Sequence, residues 1–173
     1  SALEKHGCNS FAVFSMEEGI ELRDAGIKSD ILIFSKLDTS YLELAVKNNF
    51  ILNISNLKDF DILKRFSSKN KNSPRFHVKF DTGMTRLGLN INEADRAFKI
   101  LSQNDELKCE GLYSHFATAD EGELSFAHEQ ASKFKGILKK AYSFGLKFKS
   151  VHFSNSGAVL NMDQNDFDTI RVG

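Results

Sequence analysis

The sequence predicts an incomplete (β/α) barrel of the TIM type, with about seven parallel strands and helices outside them. Short apolar segments alternate with helical patterns along all 173 residues. Strands that are apolar on both faces and separated by helices favour a parallel sheet, because each crossover returns the chain to the same edge. A closed eight-stranded barrel typically takes about 250 residues. We therefore predict one partial barrel domain over residues 1–173, lacking its first strand and belonging to a larger protein.

Each element is predicted from its own local pattern. Phe11 to Phe14 is a short apolar strand, and Ser15 with Glu18 has the spacing of a capping box for a helix that ends near Gly26. The other strands are apolar segments, and the other helices carry apolar residues on one face. Strands are expected at about 11–14, 31–34, 50–54, 75–80, 111–116, 150–153 and 169–171, with the main helices at about 15–26, 41–46, 57–66, 93–101 and 124–144.

Composition excludes several classes of partner. The 23 basic and 23 acidic residues cancel, so no broad positive field attracts nucleic acid or an anionic membrane. No apolar run approaches the roughly 20 residues of a membrane helix, and no signal peptide pattern opens the chain. Cys8 and Cys109 lack metal-ligand spacing. These features predict a cytoplasmic protein with a small-molecule partner and no metal site.

The segment from Lys79 to Gly88 carries the most informative polar residues. Lys79 and Asp81 follow an apolar strand, and Arg86 lies in a loop bounded by glycines. A buried ammonium group needs a compensating anion, which predicts an anionic ligand near Lys79. In the alternative interpretation, Lys79 pairs structurally with Asp81, and Arg86 is a solvated loop charge. The spacing alone leaves both open.

Three further strand ends carry candidate residues. His115 could relay a proton or be a hydrogen-bonded structural residue. Asn155 and Ser156 begin a helical turn that could bind a phosphate or simply cap a helix. Arg171 and Gly173 could start a second phosphate-binding segment.

Taken together, four segments resemble the alanine racemase family. Lys79 to Gly88 is similar to its Lys-x-Asp-Thr-Gly-Met-x-Arg-x-Gly motif, and Ser114 to Asp120 to its Thr-His-Phe-Ala-x-Ala-Asp motif. His152 to Ser156 is similar to His-x-x-Asn-Ser, and Arg171 with Gly173 to Arg-x-Gly. The resemblance implies a pyridoxal 5'-phosphate enzyme with an N-terminal barrel. Such an enzyme interconverts L- and D-alanine through an aldimine and supplies D-alanine for peptidoglycan.

The resemblance also implies catalytic roles. Arg86 would contact the phenolic oxygen of the cofactor and the substrate carboxylate side. Lys79, commonly carbamylated in this family, would hold Arg86 in place. His115 would tune a catalytic tyrosine from the partner subunit of a homodimer, and Asp120 would lie where the substrate enters.

The remaining implied roles concern cofactor binding. Asn155, Ser156 and the Gly173 N–H would surround the phosphate, and Arg171 would donate to the pyridine nitrogen. A guanidinium group does not readily give up its proton, so that nitrogen stays unprotonated and racemisation is favoured over transamination.

Two family features have no counterpart in this sequence. The cofactor-binding lysine within Val-Lys-Ala-Asn-Ala-Tyr-Gly-His-Gly and the tyrosine of the C-terminal β domain are both absent. Abstraction of the α-proton needs a base on each face, so the chain alone is expected to be inactive. Alternatives are a serine or broad-specificity amino-acid racemase, or a non-catalytic barrel that binds pyridoxal phosphate.

Overall fold

The computed structural model describes residues 2–163 and 167–173. Within them, strands and helices alternate as the sequence predicts. The strands are β1 Ser10–Val13, β2 Asp30–Ile33, β3 Ile51–Ile54, β4 Arg75–Lys79, β5 Cys109–Tyr113 and β6 Ser150–His152. The α-helices are α1 Ala2–Lys5, α2 Met16–Asp24, α3 Leu42–Lys47, α4 Leu57–Asn70, α5 Ala94–Ser102, α6 Ser125–Ser143 and α7 Ser156–Asn161, with short 3₁₀ turns at Thr39–Tyr41 and Ile91–Glu93.

The six strands form one parallel sheet in which each strand pairs with the next along the chain. A doubly wound sheet would instead reverse its strand order at a switch point. Sequential order with intervening helices is the arrangement of a (β/α) barrel. The predicted fold class, an incomplete barrel of this type, is confirmed.

The seventh predicted strand is not a strand. Over 169–171, Thr169 makes a single isolated bridge to His152. The Arg171 N–H donates to Ser154 O at 2.9 Å, beyond the end of β6. These contacts do not form the regular ladder that defines a strand. The segment nevertheless runs beside β6, which is where a seventh strand would lie.

The helix termini show where local sequence signals predict a helix boundary correctly and where they do not. The Ser15 hydroxyl accepts from the Glu18 N–H, and the Glu18 carboxylate accepts from the Ser15 N–H, so the predicted capping box of α2 is confirmed. α4 is longer than predicted. It passes Phe66 and ends at Asn70, before Lys71 in a left-handed conformation with φ 52°. The sequence there lacks a glycine, which is the usual signal for such an ending.

The two faces of β4 differ in chemistry. Phe76 packs on Phe60 of α4, with ring centres 6.2 Å apart, and Phe80, just beyond the strand, packs on Phe98 of α5 at 5.6 Å. Side chains alternate between faces along a strand, so His77 and Lys79 point the other way, into the barrel. The expectation that the strands are apolar on both faces is therefore wrong here. At β4, the helix-facing side holds the apolar core, and the side that faces the barrel interior is polar.

None of the helices in residues 2–163 and 167–173 has the length and apolar character needed to cross a membrane. The same residues contain no group of three or more His, Cys, Asp or Glu side chains that could hold a metal ion.

Candidate active site

Arg171 occupies the centre of the carboxyl end of the barrel. Its Nη2 donates to the backbone oxygens of Ser114 at 2.9 Å and Phe153 at 3.1 Å, and lies 3.2 Å from Nδ1 of His115. Its Nη1 contacts Nδ1 of His152. Burial lowers the pKa of Arg171 to about 10, so the group stays charged at neutral pH. This buried cation is held by carbonyls and imidazoles, which carry no negative charge.

Lys79 is a second buried cation beside Arg171. Its side chain is 8% exposed, and its ammonium lies 5.7 Å from the centre of the Tyr113 ring. Burial, then the charges of Arg86 and Arg171, lower the pKa of Lys79 to about 8. Among the described residues, no carboxylate lies within ion-pair distance of it. The site therefore contains an uncompensated positive charge.

Asp81 does not serve as the partner that the alternative interpretation gave Lys79. Its Oδ1 accepts from the N–H groups of Gly83 at 2.9 Å and Thr85 at 3.1 Å. The carboxylate thus organises the loop that follows β4. Asp81 raises the pKa of Lys79 only weakly, since its effect ranks below burial and the two arginines.

The same loop presents Arg86. The Leu89 N–H donates to Lys79 O at 2.8 Å and the Asp81 N–H donates to Leu89 O at 2.9 Å, so the loop is closed at its base. Arg86 itself is exposed. Arg86 lines a groove with Lys36, Asn56 and Arg96, and its charge helps to lower the pKa of both Lys79 and His115.

His115 lies between the strand ends and the long helix α6. Burial, then the charges of Arg171, Lys79 and Arg86, lower its pKa to about 4, so the ring is neutral at physiological pH. Its Nδ1 is near a guanidinium donor and must accept, which leaves the ring proton on Nε2. A neutral imidazole with a fixed tautomer can orient a neighbouring hydroxyl group.

The predicted phosphate-binding residues also meet. The Ser156 hydroxyl donates to Gly173 O at 3.0 Å, and the Gly173 N–H lies 3.2 Å from the same hydroxyl. Asn155 caps α7 by accepting from the Ala158 N–H at 3.0 Å, as the capping alternative expected. Asp120 adjoins this turn, because a Cβ on Gly157 would lie 2.9 Å from the Asp120 Cβ.

Sequence reasoning assigned no role to His77, Tyr113, His152 or Asn53 inside the barrel, although the first three take part in the network around Arg171. His77 and Lys79 alternate along β4, and Gly111 and Tyr113 alternate along β5, so each pair shares a face. The Tyr113 ring stacks on His152 with centres 4.6 Å apart, and its hydroxyl donates to Asn53 Oδ1 at 2.9 Å. Polar residues at every second strand position were the signal that could have found them.

The chain matches one protein family over its whole length. Residues 1–173 match the family described as "Alanine racemase, N-terminal domain". Alanine racemase 1 of Caldanaerobacter subterraneus subsp. tengcongensis is 33% identical over 172 residues, covering 99% of this chain and 44% of that protein. Alanine racemase 1 of Bacillus subtilis is 34% identical over 168 residues, covering 96% and 42%. The chain spans less than half the length of these relatives.

Solved structures give the same result. Alanine racemase of Clostridium difficile 630 superposes with a TM-score of 0.90 at 30% identity, over 99% of this chain and 45% of that chain. The Bacillus anthracis alanine racemase with bound L-Ala-P superposes with a TM-score of 0.87 at 31% identity, over 98% and 44%. With the full-length family match, these similarities show that the chain belongs to the alanine racemase N-terminal domain family.

Proposed function

We propose that the protein containing this chain is an alanine racemase that interconverts L- and D-alanine with pyridoxal 5'-phosphate. One observation carries the proposal: Lys79, Arg86 and Arg171 bring positive charge to the carboxyl end of a parallel barrel, where such folds bind ligands. The Ser156–Gly173 contact lies beyond β6, at the same end of the strands. Family membership and a relative solved in complex with cycloserine support it.

The donor set fits this cofactor. A phosphate ester needs N–H and hydroxyl donors. The Gly173 N–H and the Ser156 hydroxyl lie in one place, where they bond to each other, and would turn to the phosphate on binding. The ring portion carries a phenolic oxygen and a pyridine nitrogen, and Arg86 and Arg171 provide donors for these. A buried cluster with no carboxylate among the described partners of Lys79 and Arg171 suits an anionic ligand.

When bound, the cofactor supplies an electron sink that makes the α-proton of an amino acid acidic. The residues of this chain hold and tune it. Arg171 keeps its proton at neutral pH, so a nitrogen that accepts from it remains unprotonated. Arg86, exposed and charged, is available for a substrate carboxylate. We infer that His115 orients the hydroxyl of a catalytic base and that Asp120 lines the route of the substrate.

Conversion of L-alanine tests this function. The full-length protein with pyridoxal phosphate is expected to produce D-alanine, measured by chiral chromatography. Arg171→Lys should lower kcat/KM by about 100-fold, because a lysine cannot reproduce the fork of donors. The matched control is Arg65→Lys on the exposed side of α4.

Three results would contradict the proposal in different ways. Preferred conversion of L-serine would point to a serine or broad-specificity racemase. Cofactor binding without conversion of any amino acid would indicate a non-catalytic barrel. Equal activity of Arg171→Lys and the unsubstituted protein would remove the role given to Arg171.

Lys79 offers a second test. Carbon dioxide can form an N–C bond with its neutral amine while one proton leaves to solvent, giving a carbamate with a negative charge. The lowered pKa of about 8 increases the neutral fraction, and the anion formed would compensate Arg86 and Arg171. With carbon-13-labelled bicarbonate near pH 8, we expect a carbamate resonance that disappears in Lys79→Gln. Its absence from the unsubstituted protein would refute carbamylation.

A further inference from the structure

The interior of the barrel contains a buried pair of histidines. Nδ1 of His77 lies 2.9 Å from Nε2 of His152, although the two residues are 75 positions apart. Their side chains are only 6% and 2% exposed. The Tyr113 ring covers one face of His152. Water is therefore largely excluded from the contact.

The order of donors along this pair is determined by Arg171. A guanidinium group only donates, so Nδ1 of His152 must accept from Arg171 Nη1. A neutral His152 then carries its proton on Nε2 and donates it to Nδ1 of His77. His77 in turn carries its proton on Nε2. One arrangement of protons satisfies both contacts, and it needs both rings to be neutral.

Gly111 provides the space that His77 occupies. The two residues face each other across β4 and β5. A Cβ on Gly111 would lie 2.6 Å from three atoms of the His77 ring, a distance that real side chains do not tolerate. Both neighbouring strands are buried at this level, so the ring has little room to move. The glycine thus allows the imidazole to reach His152.

We propose that His77 is a positioning residue for Arg171: it accepts the Nε2 proton of His152, holds the His152 ring in the orientation that accepts from Arg171, and owes its position to Gly111. The consequence for catalysis rests on the function proposed above, in which Arg171 faces the pyridine nitrogen. The tautomer of His152 does not depend on that function. The positioning role of His77 and the proposed function can therefore be refuted independently of each other.

Nitrogen-15 NMR of the histidine rings in the full-length protein tests the tautomer without using activity. We expect His152 and His77 to be protonated on Nε2 and unprotonated on Nδ1. In His77→Leu, His152 loses its acceptor and is held by Arg171 alone, so its Nδ1 and Nε2 resonances should shift as the contact with Arg171 loosens. His77→Gln restores an acceptor oxygen and should recover most of the original signal. Protonation of His152 on Nδ1 in the unsubstituted protein would overturn the proposal, even if His77→Leu fails to fold.

Kinetics and the cofactor spectrum give the second readout. Loss of a buried hydrogen bond corresponds to roughly 10-fold, so His77→Leu and Gly111→Ala should lower kcat by about that factor with little change in KM. The absorption of the bound cofactor should shift as well. Gly136→Ala is the matched control, because its Cβ would meet nothing within 4 Å on exposed α6. Unchanged kcat and spectrum in both variants, with racemisation intact, would refute the positioning role alone.

Discussion

Replacing Gly88 with alanine is expected to lower the free energy of unfolding by about 3 kcal/mol, from backbone strain together with steric overlap. Gly88 has a φ of 140°, which L side chains rarely adopt. A Cβ there would lie 2.6 Å from the Asp81 nitrogen and 2.7 Å from the Phe80 carbonyl carbon, and neither backbone atom can rotate away. The added methyl group should force open the base of the loop that carries Arg86.

Gly145→Ala separates the backbone strain from the steric overlap. Gly145 also has a positive φ, 76°, but a Cβ would meet nothing within 4 Å. Its replacement should therefore cost only about 1 kcal/mol, the strain contribution alone. Urea unfolding of each variant in the full-length protein measures the difference. Equal losses in the two variants would show that the overlap at Gly88 is relieved by the loop, and the site would then be more adaptable than its contacts indicate.

Mild acid is expected to destabilise the protein strongly. Burial lowers the pKa of His77 from 6.5 to about 4 and places that of His152 well below its usual value. Such a histidine binds a proton on unfolding, so stability is complete above pH 6.5 and is lost as the pH falls toward 4. At about 1.36 kcal/mol per pKa unit, His77 should contribute a loss of about 2 kcal/mol between pH 7 and pH 5, and His152 contributes in the same direction.

The charged groups around His77 and His152 define the pH range in which acid destabilises the protein. Nearby Glu110 and Asp30 raise the pKa of His77 while Arg75 and Arg171 lower it, and burial outweighs all four. The pKa values of Asp30 and Glu110 are themselves lowered, so these carboxylates add to acid sensitivity only at lower pH.

Urea unfolding at intervals between pH 7 and pH 5 measures the acid effect. His77→Gln should reduce the pH dependence by about one proton, since one titrating ring is removed. His128→Gln is the control and should keep the dependence, because His128 lies on the exposed face of α6, away from the buried pair. A stability that stays level across this range would mean that the histidine pair accepts a proton in the folded protein.

Several features could be predicted from the sequence because each depends on neighbouring residues. They are the order of strands and helices, the capping box at Ser15 and the polar residues at the strand ends. The same applies to the loop from Lys79 to Gly88, in which a strand ends in a short motif. The extension of α4 to Asn70 could not be predicted, because a lysine takes the left-handed position where glycine is usual. The segment at 169–171 has a strand pattern but makes only one isolated bridge to β6, between Thr169 and His152.

The sequence by itself determined the barrel class and the residues that lie at its carboxyl end, since periodicity and strand-end position are local properties. Only the tertiary structure decided that Lys79 lacks Asp81 as a partner, that Arg171 is held by carbonyls and imidazoles, and that His77 meets His152. These contacts join strands that are far apart in the chain, and the direction of each hydrogen bond depends on which groups face it. Such pairings arise only when the neighbouring strands of the sheet come together and their inward side chains meet, so no local pattern contains them.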